Sequence, residues 1–172
     1  DTESQISFDT YGLDDTAEQL KQLIRIGKVM AQKYEVVATN PPYAGTSNLS
    51  AKVNDFVKKN YPDSKADLFA VFIEKCLTFI KRTGYISMIT MQTWMFLKSF
   101  QELRESILNN NTISNMIYLG IGAFDSGEVG TIVQSTSFVI QKNRIENYNG
   151  AFLKLTDYNT TLEKKKHALL KD

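Results

Sequence analysis

The fold of this chain can be worked out from one stretch, Tyr34-Glu35-Val36-Val37-Ala38-Thr39-Asn40-Pro41-Pro42-Tyr43. Its first half is a short apolar run, which predicts a strand. The two prolines that follow remove two backbone donors and hold φ near about −65°, so the segment presents carbonyl oxygens and no N–H groups. Asn40 precedes a proline and is therefore extended. A loop directly after a strand is where α/β enzymes place ligands.

We call residues 40–43 the NPPY loop, and its chemistry suits an exocyclic amino group. The side-chain oxygen of Asn40 and the carbonyl oxygen of Pro41 can each accept a hydrogen bond from the same NH2 group. The ring of Tyr43 is available as a stacking surface beside that group. Asn-Pro and Pro-Pro pairs are also ordinary turn punctuation, so the residues alone leave a purely structural role open.

The NPPY loop resembles motif IV, the (Asp/Asn/Ser)-Pro-Pro-(Tyr/Phe/Trp) loop of the amino-methyltransferases that use S-adenosylmethionine, and above all that of the N6-adenine DNA methyltransferases. Residues 60–74, with the sequence NYPDSKADLFAVFIE, are similar to the PglX-type methyltransferases of BREX phage-exclusion systems. The resemblance covers roughly residues 34–142. It implies S-adenosylmethionine as cofactor, double-stranded DNA with a target adenine as substrate, and phage-defence proteins as partners.

The resemblance also implies a role for each residue of the loop. Asn40 and the Pro41 carbonyl would accept hydrogen bonds from the adenine N6 amino group, with Pro42 completing a backbone that lacks donors. Adenine N6 shares its lone pair with the ring and is a poor nucleophile, which such acceptors offset. A base inside a duplex must be flipped out to be reached, and Tyr43 would stack on it.

Three further residues are candidates for this site. The family supplies a second aromatic from the loop before its terminal hairpin, and Phe124 stands in the corresponding loop here, where a core role is an equal alternative. Asp67 and Thr93 are near-site candidates by position alone.

Hydrophobic periodicity predicts alternating helices and strands. Helices are expected over residues 14–33, 50–61 (capped by Ser50), 65–82 (ended by Gly84), through Phe100, Leu103 and Ile107, and over 162–170. Strands are expected over residues 34–38, 85–90, 112–119, 131–141 and 152–155. The order of the first four strands resembles strands four to seven of a Rossmann-like α/β methyltransferase sheet with flanking helices, in which 112–119 and 131–141 form a terminal antiparallel hairpin. Residues 152–155 would add a last strand.

Composition sets limits on the class of protein. The 172 residues are 42% hydrophobic, which fits one soluble unit, and the net charge of +1 predicts no strongly basic surface, so DNA as substrate depends on the motif. The only cysteine, Cys76, lies in an apolar helical stretch and predicts a buried thiol in a reduced, cytoplasmic protein. No apolar run is long enough to span a membrane. The lone His167, in a Lys-rich segment, does not predict a metal site.

The first half of the methyltransferase domain is missing from the pattern. The family carries its glycine-rich cofactor loop well before motif IV, and no equivalent precedes Tyr34, while Gly120-Ile121-Gly122 comes too late and opens no predicted helix. Residues 1–172 are therefore expected to be the C-terminal half of a catalytic domain, inactive alone and weak in binding S-adenosylmethionine. The exposed strand edge beside the motif strand could pair with a second copy or be covered by the N-terminal segment.

Two other functions remain open at this point. Related loops occur in methyltransferases acting on protein glutamine and on guanine in ribosomal RNA, although the long insert between Tyr43 and Asp67 favours the DNA enzymes. A structural or interaction domain with a vestigial loop is the alternative that involves no enzyme. A glycine-rich cofactor loop upstream in the gene would favour an active methyltransferase over a structural domain with a vestigial loop.

Overall fold

The structure, a computed structural model, describes residues 3–124, 133–156 and 170. The chain divides into two compact units, Asp1–Lys33 and Tyr34–Asp172. The first unit contains α1, Glu3–Ala31, which begins well before the predicted helix over 14–33 and carries exposed apolar side chains such as Leu23.

The second unit is built on a five-stranded sheet with the order β1-β2-β4-β3-β5. Its strands are β1 Tyr34–Thr39, β2 Ile80–Met91, β3 Thr112–Gly120, β4 Ser135–Gln141 and β5 Ala151–Lys154. β1 pairs parallel to β2, β4 lies antiparallel between β2 and β3, and β5 pairs parallel to β3. The predicted α/β sheet and its antiparallel hairpin are confirmed.

Helices connect the strands, and two of them pack on the sheet. The helices are α2 Ala51–Asn60, α3 Leu68–Phe79 and α4 Gln101–Asn110, with short 3-10 turns at Thr46–Asn48, Gln92–Met95 and Lys98–Phe100. α3 packs on β1 and β2, and α4 packs on β3. The parallel pair β1 and β2 is thus joined by a crossover that contains α2 and α3, as a parallel pair requires.

The core lies between these helices and the inner face of the sheet. In β2 every second residue from Gly84 to Thr90 is buried, which is the alternation of a strand with one covered face. Inward residues of β2 face inward residues of β4 across the sheet, and α3 and α4 supply the rest; the cluster includes Phe69, Ile73, Cys76, Ile86, Met88, Leu103, Ile107, Phe138 and Ile140. Cys76 is buried, as its helical context predicts.

One sequence prediction about the ends of elements is wrong. Gly84 does not end a helix, because α3 ends at Phe79 and β2 begins at Ile80, so Gly84 lies inside the strand. Ser50 is the N-cap residue of α2, as predicted, but its side chain makes no capping hydrogen bond. Apolar periodicity did not separate the last turn of α3 from the start of a buried strand.

The position of Gly84 has a physical reason. The register of β1 against β2 shifts between Tyr34 and Val36, where β2 advances from Ile80 to Tyr85. A Cβ on Gly84 would lie 2.8 Å from the carbonyl oxygen of Glu35. Only a residue without a side chain allows the two backbones to approach so closely.

Several predicted features lie outside the described residues. These are residues 131 and 132 of the predicted strand over 131–141, and nearly all of the predicted helix over 162–170, including His167. No helix of the described part is long and apolar enough to cross a membrane.

We expect Gly84→Ala to destabilise the chain by about 1–3 kcal/mol, because the new Cβ forces β1 and β2 apart. The measurement is urea unfolding followed by circular dichroism. Gly27→Ala is the control: nothing lies within 4 Å of its added Cβ, so it should not destabilise the chain, and its place in α1 should add up to about 1 kcal/mol of stability. Equal unfolding midpoints for the Gly84→Ala and wild-type chains would contradict the close approach of β1 and β2 at Gly84.

Candidate active site

The candidate site lies at the carboxyl ends of the parallel strands of the sheet. β1, β2 and β3 run in the same direction, because β1 is parallel to β2 and the intervening β4 is antiparallel to both of its neighbours. Their carboxyl ends therefore meet at the same edge, where open α/β sheets bind ligands. The NPPY loop follows β1 there, and the 3-10 turn Gln92–Met95 follows β2.

The NPPY loop is held by its own tyrosine. The hydroxyl group of Tyr43 donates to the side-chain oxygen of Asn40 at 3.2 Å, and it also lies 3.4 Å from the carbonyl oxygen of Ile89 in β2. A phenol has one proton and donates to one of these oxygens at a time. Asn40 and Tyr43, both predicted from the sequence, are thus brought together, and the loop contacts the next strand.

The residues of the loop alternate in exposure. Asn40 and Pro42 are exposed, Pro41 is buried and Tyr43 is half-buried. Within the described residues no donor reaches the Pro41 carbonyl oxygen. The two oxygens predicted to accept an amino group, on Asn40 and Pro41, therefore retain accepting capacity, since the amide oxygen of Asn40 has a second lone pair.

A series of aromatic rings fixes Tyr43 to the core. Its ring meets that of Phe69 edge to face, with centroids 6.2 Å apart and planes at 87°. Phe69, fully buried at the start of α3, contacts the ring of Phe100 at 5.6 Å. Such pairs favour defined geometries. The ring of Tyr43 is held in place while part of it stays exposed.

Burial also affects the phenol of Tyr43. Desolvation raises the pKa of Tyr43 above its usual value, and the nearby Ser135 hydroxyl lowers it by a smaller amount. The phenol is therefore neutral at physiological pH and remains a hydrogen-bond donor.

Polar side chains are buried beside the loop, and the sequence reading missed them. Thr90 near the end of β2 lies opposite Thr136 in β4, and Gln92 just after β2 and Ser135 at the start of β4 are buried with them. The side-chain amide of Gln92 donates to the Gln134 side chain, and its backbone N–H donates to the Gln134 carbonyl at 3.0 Å. The Gln92 side-chain oxygen is buried without a partner among the described residues. These residues could have been predicted from the sequence, because polar residues continue the buried pattern of β2 at its carboxyl end.

The other candidates fall in different places. Phe124 is half-buried in the turn after β3, and the residues that follow it are outside the described part. Thr93 lies in the 3-10 turn after β2, where its carbonyl accepts from the N–H of Leu97 at 2.9 Å. Asp67 precedes α3 and accepts a hydrogen bond from the N–H of Ala44 at 3.0 Å, directly next to the NPPY loop. An Asp before an apolar helical run is an N-cap signal that could have placed it.

A glycine-rich cofactor loop is not formed by the described residues. Gly120 and Gly122 have positive φ values, but they end β3 and no helix begins within residues 121–124. A loop that cradles a nucleotide-like cofactor opens a helix after a strand. The residues present therefore do not fit the cofactor's main binding loop.

Solved structures identify the fold class. A Listeria monocytogenes protein assigned to the class I S-adenosylmethionine-dependent methyltransferases matches 82% of this chain and 42% of its own, with a TM-score of 0.57 and 14% identity. A nuclease-deletion mutant of the Type ISP restriction-modification enzyme LlaGI, in complex with a DNA substrate mimic, matches 88% of this chain and 17% of its own, with a TM-score of 0.62 and 17% identity. The chain thus has part of the S-adenosylmethionine-dependent methyltransferase fold.

The sequence narrows this class to a family. The model of the Eco57I restriction-modification methylase family matches residues 2–124, and the chain belongs to that family. The adenine-specific methyltransferase PglX of Lacticaseibacillus casei is 40% identical over 96% of this chain. The adenine-specific methyltransferase BrxX of Escherichia coli is 39% identical over 91% of it. The predicted resemblance is confirmed, and the chain spans 14% and 13% of the length of these relatives.

We expect the phenol of Tyr43 to ionise above the usual tyrosine value of about 10. Because the folded-state pKa is raised, its stability contribution is present below that value and is lost as pH rises through the folded pKa. The measurement is the tyrosinate absorbance of the wild-type chain minus that of Tyr43→Phe. A difference spectrum that titrates below pH 10 would contradict the burial of this group.

Proposed function

We propose that this chain is part of a DNA methyltransferase that transfers a methyl group from S-adenosylmethionine to N6 of a flipped-out adenine, in restriction-modification or phage defence. The observation that carries the proposal is the geometry of the NPPY loop. It holds two oxygen acceptors and an aromatic ring at the carboxyl edge of a methyltransferase sheet. The names of the similar proteins support adenine as the target base.

The acceptors act on the nucleophile. Asn40 Oδ1 and the Pro41 carbonyl oxygen would each accept a hydrogen bond from the adenine amino group. These two bonds would orient the group and favour the movement of charge from the ring to N6. Acceptors fixed before reaction supply electrostatic stabilisation that strengthens as positive charge develops on N6. When the amino group donates to Asn40, the Tyr43 hydroxyl has the Ile89 carbonyl as its alternative acceptor at 3.4 Å.

Stacking replaces the neighbours that a flipped base loses. The Tyr43 ring, fixed by Phe69 and half-exposed, supplies one surface. Base-aromatic stacking contributes about 1–3 kcal/mol per base. Phe124 is proposed as the second surface, from the loop between β3 and β4.

The cofactor would be held by residues outside the described part. S-adenosylmethionine supplies the electrophilic methyl group, and the residues of this chain hold and orient the acceptor amine. We therefore propose that residues 1–172 form the C-terminal half of a catalytic domain in a longer cytoplasmic protein. The double-stranded DNA site and any phage-defence partners would be recognised largely by the remainder of that protein.

Other amino groups are the competing substrates. Protein glutamine and guanine in ribosomal RNA carry NH2 groups that the same acceptors could hold. The family match and the adenine-specific relatives favour DNA adenine over both. A vestigial, non-catalytic loop is less well supported, because the Asn40 and Tyr43 side chains lie within hydrogen-bonding distance of each other and the Tyr43 hydroxyl has a second acceptor in the Ile89 carbonyl.

We expect Asn40→Ala in the full-length protein to lower adenine methylation by about a hundredfold or more, the loss typical of removing one hydrogen bond that stabilises a transition state. The measurement is transfer of radiolabelled methyl groups to duplex DNA, with N6-methyladenine identified after digestion. Folding should be unchanged because Asn40 is exposed.

The matched control is Asn48→Ala, an exposed asparagine of the following loop, which should leave the rate unchanged. Ribosomal RNA and total protein serve as competing acceptors in the same assay. Label appearing in guanine or glutamine would refute adenine as the target, and full activity of Asn40→Ala would refute the acceptor role.

The outer edge of β1 is proposed as a pairing surface. β1 ends the described sheet, and Val36 on it is 57% exposed. In the longer protein a further strand would cover this edge, whereas the isolated 172-residue chain would pair with a second copy.

We expect the isolated chain to self-associate as its concentration rises, measured by sedimentation equilibrium. Val36→Lys should weaken the association because a charge on an edge strand opposes pairing. Val53→Lys, at a similarly exposed valine of α2, is the control and should not. A wild-type chain that is monomeric at every concentration would contradict the proposal.

A further inference from the structure

Asp67 joins the segment after the NPPY loop to the start of α3, across 23 residues of chain. Its side-chain oxygen Oδ1 accepts a hydrogen bond from the N–H of Ala44 at 3.0 Å. The backbone repeats the link, because the N–H of Leu68 donates to the Ala44 carbonyl at 3.0 Å and Gly45 forms an isolated antiparallel bridge with Asp67. Ala44 is the residue directly after Tyr43.

The same carboxylate oxygen also caps the N-terminus of α3. Asp67 has an extended backbone at the N-cap, and its Oδ1 accepts from the N–H of Phe69 at 3.3 Å. Phe69 is the residue whose ring contacts Tyr43. One oxygen atom therefore holds the backbone on both sides of the contact between Tyr43 and Phe69.

The NPPY loop needs such an external anchor. Its two prolines donate no backbone hydrogen bonds, so the loop cannot be held by a ladder of its own. Ala44 directly follows the loop, and its N–H donates to the side chain of Asp67, which is distant in sequence.

We propose that Asp67 is a positioning residue for methyl transfer, which fixes the Tyr43 ring and the loop acceptors through Ala44 and Phe69. This rests on the proposed function. In this role the carboxylate would contact the backbone N–H groups of Ala44 and Phe69 rather than the amino group or the cofactor, and it would act by limiting the positions of the groups that meet the substrate. A misplacement of about 1 Å in such groups can cost about a hundredfold in rate.

The charge itself is not the essential property. Burial raises the pKa of Asp67, while the backbone N–H groups of Phe69, Ala44 and Leu68 lower it by smaller amounts. A neutral amide of the same shape keeps an accepting oxygen at the same place and avoids the cost of burying the charge. Asp67→Asn should therefore preserve the function of the side chain.

The test must separate positioning from simple helix capping. Asp67→Ser keeps an N-cap oxygen for Phe69, since serine is as good a cap as aspartate, but its side chain is one atom shorter and does not reach Ala44. Asp67→Ala removes both bonds. Asp63→Ala, at an exposed aspartate four residues earlier, is the control.

The experiment measures kcat and KM for duplex DNA and S-adenosylmethionine in the full-length protein, together with thermal unfolding. We expect Asp67→Ser to unfold near the wild-type temperature but to lose about tenfold to a hundredfold in kcat, with KM within about threefold. Asp67→Asn should retain kcat within about threefold, and Asp63→Ala should match the wild type.

The outcomes distinguish this inference from the proposed function. Wild-type kcat in Asp67→Ser would show that Asp67 only caps α3, and a loss in Asp67→Asn as large as in Asp67→Ser would show that the reach to Ala44 is not the cause; either result overturns the inference. Absence of methylation by the wild-type protein would refute the proposed function instead. If Asp67→Ala fails to fold, the Ser and Asn variants still decide the question.

Discussion

The parallel pairing of β1 with β2 is the constraint on which the site depends. Its register, Val37 opposite Ile86 and Thr39 opposite Met88, sends both strands toward the same edge of the sheet. The NPPY loop and the turn Gln92–Met95 therefore meet there, although roughly fifty residues of chain separate them. The absence of a side chain at Gly84 lets the two backbones come close enough for this pairing where the register shifts.

The NPPY loop combines a chemical advantage with a structural cost. Prolines remove N–H donors that would compete with an amino group for the acceptor oxygens, and the same loss means that the two prolines donate no backbone hydrogen bonds to hold the loop. The structure offsets that loss from outside, through the ring of Phe69, the carbonyl of Ile89 and the carboxylate of Asp67. Two of these groups belong to the start of α3. The crossover that makes parallel pairing possible thus also supports the acceptor loop.

Much of the fold followed from local patterns. Apolar runs located all five strands, and the family resemblance placed β3 and β4 as an antiparallel hairpin. The errors occur where one pattern suits two structures. Apolar periodicity in the segment around Ile80 fits a buried helix or a buried strand, and a glycine such as Gly84 fits a helix end or a close approach of strands. Which applies is decided by the neighbouring strand.

The type of chemistry was readable from the sequence, because it resides in four consecutive residues whose donors and acceptors are properties of the residues themselves. Asn40 and Tyr43 are three positions apart, so local geometry alone brings them together. The hydrogen bonds that hold the site in place were decided by the tertiary structure. The bond between Asp67 and Ala44 spans 23 residues and that between Gln92 and Gln134 spans 42. Contacts at such separations depend on strand register and on the path of the crossover, which no local pattern specifies.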